Sequence, residues 1–115
     1  MKVVRDKITI VELTEMSKKM HGGLVKAVVD LNKNLIAVDA GMHVDLEQYL
    51  LEELESQQSS LWGINLYPAL AKQQDWIEFD SMINMRPSDN NMSRGVENPV
   101  TQKQIIELVN KLVQS

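Results

Sequence analysis

The sequence predicts an α+β domain: a mainly antiparallel sheet with helices packed on one face. Three observations predict it. Short β-branched and aliphatic runs fall in neighbouring pairs, 24–31 with 35–39 and 60–68 with 75–87. Segments with a 3.6-residue apolar period separate those pairs. Capping-box patterns mark where the helices begin. The element order reads β-α-β-β-α-β-β-α, and adjacent strand pairs interrupted by helices give an α+β layer. A mixed sheet stays open, because the strand that joins the two hairpins has no assignable partner. A chain of 115 residues without linker, repeat or low-complexity segment reads as one domain, 1–115.

Residues 2–4 form a short apolar edge strand. In "TIVE", Thr9 is the N-cap and Glu12 its reciprocal partner, opening a helix over 10–20 with Ile10, Leu13, Met16 and Met20 on one side. Gly22 and Gly23 end it. "LVKAVVDL" and "LIAVD" flank "NKN", a hairpin signal because Asn tolerates positive φ. Asp45 with Gln48 repeats the capping box, and Leu46, Leu50 and Leu54 line a helix reaching about 57. "SLWGINLYP" and "DWIEFDSMINMRP" read as two antiparallel strands joined by "ALAKQQ". The last helix starts at Pro99 or is capped by Thr101 with Gln104, and Ile105, Leu108, Val109 and Leu112 mark its apolar face.

Composition excludes several classes of function. With no cysteine there is no disulfide, thiolate nucleophile, iron–sulfur cluster or cysteine-held zinc, and a reducing compartment is consistent. The start "MKVVRDKITI" lacks a signal peptide's apolar core, and no apolar run approaches the ~20 residues of a spanning helix. The expectation is a cytoplasmic protein with no membrane partner. A net charge of −4 with scattered basic residues argues against nucleic acid as the main partner. No cofactor is predicted.

Period-two counting through 75–87 sends Ile77, Phe79, Ser81, Ile83 and Met85 one way, and Glu78, Asp80, Asn84 and Arg86 the other. In the preceding strand Trp62, Ile64 and Leu66 share a face opposite Gly63, Asn65 and Tyr67. Pairing the apolar faces places Asn65, Tyr67, Glu78, Asp80, Asn84 and Arg86 together outside, the best candidate for a site. Gly63 leaves room for something to approach. The competing account is a solvated sheet face held by cross-strand charge pairs. The loop 87–98 is long for a compact domain. Its Arg94 can fork onto an anion. Equally, Arg86 and Arg94 can pair with Glu78 and Asp80 and pin the loop, the role favoured here.

His43 in "MHVD" precedes the second helix, with Asp45 as its cap. A metal at His43, Glu78 and Asp80 is a weak alternative. His21 sits at a helix end, where an imidazolium is favourable. Ser81 points inward, which argues against a serine triad, and no nucleotide-binding or metalloprotease motif occurs. The seven methionines read as core filler.

The blocks "LWGINLYP", "WIEFDSMINMRPS" and "SRGVENP", with the opening "MKVVRDKITIVEL", resemble a family of small uncharacterised prokaryotic proteins, a domain of unknown function. The resemblance spans nearly the whole chain. The family has no assigned activity, so the resemblance carries over no catalytic residue.

Three functions compete. The first is a non-catalytic domain that binds a small molecule or a protein through the polar face and the 87–98 loop. The second is a metal-dependent phosphoester hydrolase or nuclease using Glu78 and Asp80 with His43. The third is a structural homodimer that buries Trp62, Trp76 or Tyr67, since four of the five aromatics fall in one hairpin.

Overall fold

Local signals of the sequence start the first helix and the sheet. Thr9 Oγ1 accepts from the Glu12 N–H at 3.1 Å, and Glu12 Oε1 accepts from the Thr9 N–H at 3.3 Å. That reciprocal cap opens α1 (Ile10–Ser17), which stops three residues short of the span expected from its apolar period. The computed structural model describes all residues, Met1–Ser115. Ahead of α1 lie β1 (Lys2–Val4) and β2 (Ile8–Thr9). After it come β3 (Val25–Asp30), β4 (Leu35–Val38), α2 (His43–Glu53), β5 (Leu61–Leu66) and β6 (Ile77–Glu78). The chain ends in α3 (Pro99–Leu112) and β7 (Val113–Gln114).

The five-stranded sheet has the order β1-β4-β3-β5-β6, and every neighbouring pair in it is antiparallel. The expected hairpin between β3 and β4 is present, and Asn34 takes the positive φ of its turn. A separate parallel pair of two residues each joins β2 to β7 and ties the C-terminus beside the start of α1. The α+β class and the antiparallel sheet therefore stand as read.

The helices do not share one face. Val25, Ala27 and Val29 of β3 pack with Trp62, Ile64 and Leu66 against Leu13 of α1 and Ile105, Leu108, Val109 and Leu112 of α3. Val28, Leu35, Ala37 and Leu61 turn the other way and pack on Leu46 and Leu50 of α2. The runs "VKAVVD" and "LIAV" are nearly continuous in apolar residues because both of their faces are covered. Two different helical layers therefore bury the middle of the sheet.

Asp45 is not the cap of α2. The helix begins at His43, with Met42 as an N-cap that offers no side-chain acceptor. At α3 the cap is Asn98, whose Oδ1 accepts from the Val100 N–H at 2.9 Å, with Pro99 in the first turn. The two tryptophans belong to the core of the chain itself, where Trp76 is fully buried and Trp62 nearly so. Neither presents an aromatic surface to a second copy. No helix is long and apolar enough to cross a membrane.

Candidate ligand-binding site

Alternation along β5 puts Asn65 and Tyr67 on the α2 side of the sheet, and the register Asn65↔Glu78 brings β6 alongside. Asn65 Nδ2 donates to Glu78 Oε1 at 2.8 Å and Tyr67 OH donates to the same oxygen at 3.0 Å. Asn65 Nδ2 also reaches the Asp80 carbonyl at 3.4 Å. Both acceptors fix which end of the amide is nitrogen, so Oδ1 faces the other way. It is buried and receives no hydrogen bond. Desolvation, and then the Glu78 carboxylate, push the Tyr67 phenol up from its ordinary pKa, so it stays protonated and donating.

The strand ends at Glu78, not near residue 87, and the rest of the expected face dissolves. Phe79 follows Ile77 onto the α3-side core, but Ile83 crosses to the α2 side. Ser81 lies directly over Gly63: a Cβ on Gly63 would stand 2.6 Å from Ser81 Cβ and Oγ. The visitor that Gly63 makes room for is thus the protein's own chain. Asn84 is fully buried and not on the outer face. Its Oδ1 accepts from Gly63 N–H at 2.8 Å, while Nδ2 donates to the carbonyls of Gly63 and Arg94, each at 2.9 Å. Arg86 is also absent from the face. It is 7% exposed, its guanidinium lies 4.3 Å from the Trp62 ring centre, and it binds Asp89 Oδ2 and the Ile83 carbonyl.

Both arginines hold the 87–98 loop, but only Arg94 does so through an expected partner, while Arg86 pairs with Asp89 inside the loop. Arg94 Nε donates to Asp80 Oδ1 at 2.6 Å. Asn91 holds the loop from within, its Nδ2 donating to the carbonyls of Asn84, Ser93 and Gly95 and its Oδ1 accepting from Glu97 N–H. Tyr67, Glu78, Asp80 and Arg94 therefore remain on one surface, with Asn65 buried beneath Glu78. Asn84 and Arg86 are supports beneath or behind it.

A cleft of about 160 Å³ opens beside this surface. Lys26, His43, Ser81 and Arg94 supply its polar lining, and Met42, Val44, Met82 and Ile83 its apolar lining. Sequence reasoning missed Lys26 and the methionines. The available signal was the single charge inside the apolar run "LVKAVV". Two larger hollows, of about 310 and 280 Å³, lie along α3 and gather none of the residues singled out as a site.

His43 is buried at the start of α2, and its Nε2 stands 2.9 Å from the Ile64 carbonyl. A carbonyl only accepts, so Nε2 carries the proton. Burial lowers the pKa of His43. The Ile64 carbonyl and Asn65 oppose that shift, and the Lys26 charge adds to it. A base whose folded pKa lies below its unfolded value of about 6.5 favours folding fully above that pH. Its contribution is lost as pH falls further, because the unfolded state then binds more protons. The melting temperature is therefore expected to fall between pH 7.5 and 5.5, and less steeply in His43→Gln. Glu12, held below the usual carboxylate range mainly by the Lys2 ammonium, titrates under that window. Parallel melting-temperature curves for the two proteins would remove His43 as the cause.

No three His, Cys, Asp or Glu side chains come close enough to hold a metal ion. His43 faces a backbone carbonyl, Glu78 is held by Asn65 and Tyr67, and Asp80 by Arg94. The trio His43, Glu78 and Asp80 thus does not meet as a ligand set.

A family model described as "Protein of unknown function (DUF5674)" matches residues 2–112. Comparison with curated proteins and with solved structures finds no match.

Proposed function

The chain belongs to the family described as protein of unknown function (DUF5674), and because that description names no activity we propose its function from the site itself: a non-catalytic domain that binds a small molecule in the cleft between α2, β3 and the 80–94 segment. One observation carries this reading. The cleft is open and mixed in chemistry, yet two of its polar groups are held in place by contacts within the protein. Asp80 fixes Arg94, the Ile64 carbonyl fixes His43, and the Asn65–Tyr67 pair fixes Glu78 at its side. Groups positioned beforehand lose little freedom on binding, which favours affinity.

The same contacts support binding over catalysis. Ser81 is buried against Gly63, and its Oγ accepts from Ile83 N–H at 3.4 Å, so it is not placed as a nucleophile. His43 spends its one proton on a backbone carbonyl. The size of the cleft fits a molecule smaller than the drug-sized ligands of 300–1,000 Å³ pockets, roughly.

A thermal-shift screen of metabolites against the full chain, repeated with the uncharged Met82→Trp, tests the reading. Met82 is 64% exposed, so the larger side chain fills the mouth of the cleft without disturbing the core. Compounds that raise the melting temperature of the parent protein are expected to lose their effect in the variant. Hits that are indifferent to Met82→Trp would place binding elsewhere and defeat the proposal.

A further inference from the structure

The lining of the cleft is unbalanced in charge. It includes two cations, Lys26 and Arg94, and no carboxylate. Lys26 stands on the central strand β3 opposite Asn65, and its ammonium has no acid within ion-pair range and no hydrogen-bond acceptor. Arg94 engages Asp80 through Nε alone, which leaves both terminal nitrogens of its fork as donors. These two cations flank the start of α2, whose cap residue supplies no acceptor. The N–H groups of His43 and Val44 consequently donate to nothing within the protein. Helix starts favour negative charge, and here that tendency adds to two side-chain cations already in place.

Besides the cations, His43 and Ser81, the lining is apolar, and most of that apolar part is exposed. Met42 is 60% exposed and Met82 64%, with Val44 at 43%. Methionine is flexible and adapts to irregular apolar shapes. In an acidic chain of net charge −4, two cations ringed by exposed methionines suit a ligand with a negative head and a short greasy chain.

We infer that the cleft takes a small anion with a short apolar tail, an aliphatic carboxylate or an alkyl phosphate. The head lies on Lys26, Arg94 and the first turn of α2, and the chain against Met42, Val44 and Met82. The inference rests on the reading that this cleft is the binding site, and names the chemistry it selects.

Titrating the ¹⁵N-labelled full chain at constant ionic strength tests it, with acetate, butyrate, hexanoate, inorganic phosphate, butyl phosphate and butylammonium as probes. Hexanoate or butyl phosphate is expected to move the amide resonances of His43, Val44 and residues 81–83, and whichever binds tighter identifies the head group. Lys26→Gln is expected to weaken that probe about tenfold, the loss of one charge-assisted contact. Met82→Ala is expected to weaken hexanoate while leaving acetate unchanged. Should Lys26→Gln fold poorly, the exposed Arg94→Gln reads the same charge. Inorganic phosphate binding as tightly as butyl phosphate, with acetate as tight as hexanoate, would overturn the tail. Butylammonium moving those amides where the anions do not would overturn the anion and leave the cleft a binding site. If no probe moves them, the inference fails, and the metabolite screen judges the wider reading by itself.

Discussion

Replacing Asn84 with alanine is expected to destabilise the protein by about 3–5 kcal/mol, measured by urea denaturation. Asn84 is fully buried and answers three backbone groups: the N–H of Gly63 and the carbonyls of Gly63 and Arg94. Truncation leaves the N–H and the carbonyl of Gly63 without a partner and the Arg94 carbonyl with one donor instead of two. Each buried orphan costs about 1–3 kcal/mol, to which the space left by the amide adds. Relaxation recovers part of that sum. Asn84→Asp is the sharper control. It keeps an acceptor for the Gly63 N–H but turns an oxygen toward two carbonyls, so it is expected to be no better than alanine. A loss below about 1 kcal/mol for both variants would show that the amide is not a structural pillar. The effect extends to the cleft, because the Arg94 carbonyl that Asn84 holds is also the acceptor for Ser81 N–H at 2.9 Å. Both residues line the cleft, so a folded Asn84→Ala protein is expected to lose ligand affinity as well.

Asn84 also explains where reading the sequence stops working. Its amide presents an oxygen acceptor beside an N–H donor, as a peptide group does, and it offers them to both backbone groups of Gly63. It takes the place that the next residues of a strand would occupy beside β5. Alternation cannot distinguish a residue whose backbone pairs from one whose side chain does the pairing. A period-two pattern therefore carried the expected strand to residue 87, when hydrogen-bonded pairing ends at Glu78. Where local chemistry decides, the sequence was sufficient: the Thr9–Glu12 cap, the apolar stripe of α3 and the alternation of β5 all appear in the structure. Asn65, Tyr67 and Glu78 came together because they depend only on that alternation and on one register. The placement of α2 on the opposite face overturns the single helical face expected, although it was legible in strands too uniformly apolar for a half-solvated sheet. The short β2–β7 pair and the cleft were not, because they arise where segments distant in sequence meet. The same holds for Arg86, whose charge suggested the surface but whose place is over Trp62.

The second large effect is expected from Gly63→Ala, at about 2–3 kcal/mol of lost stability, at the upper end for an overpacked site. The added methyl would meet Ser81 Cβ and Oγ at 2.6 Å and Ile83 Cγ1 at 3.1 Å. Ile83 can turn its side chain, but Ser81 Cβ is fixed to a backbone held on both sides. Its N–H donates to the Arg94 carbonyl and its own carbonyl accepts from Asn84 N–H at 3.1 Å. The clash must therefore displace the crossing segment or the strand. Ser81→Gly removes both of the contacting atoms, at the modest cost of a more flexible residue and of the hydrogen bond to Ile83 N–H. The double variant is expected to be more stable than the sum of the single losses predicts, by about 1 kcal/mol or more, a coupling that distant sites do not show. Strict additivity would mean that the strain falls elsewhere. The cleft offers an independent reading of the same contact, since Ser81 lines it. Gly63→Ala pushes that wall outward without altering any charge, so a ligand bound there should weaken, and the double variant should restore it together with stability.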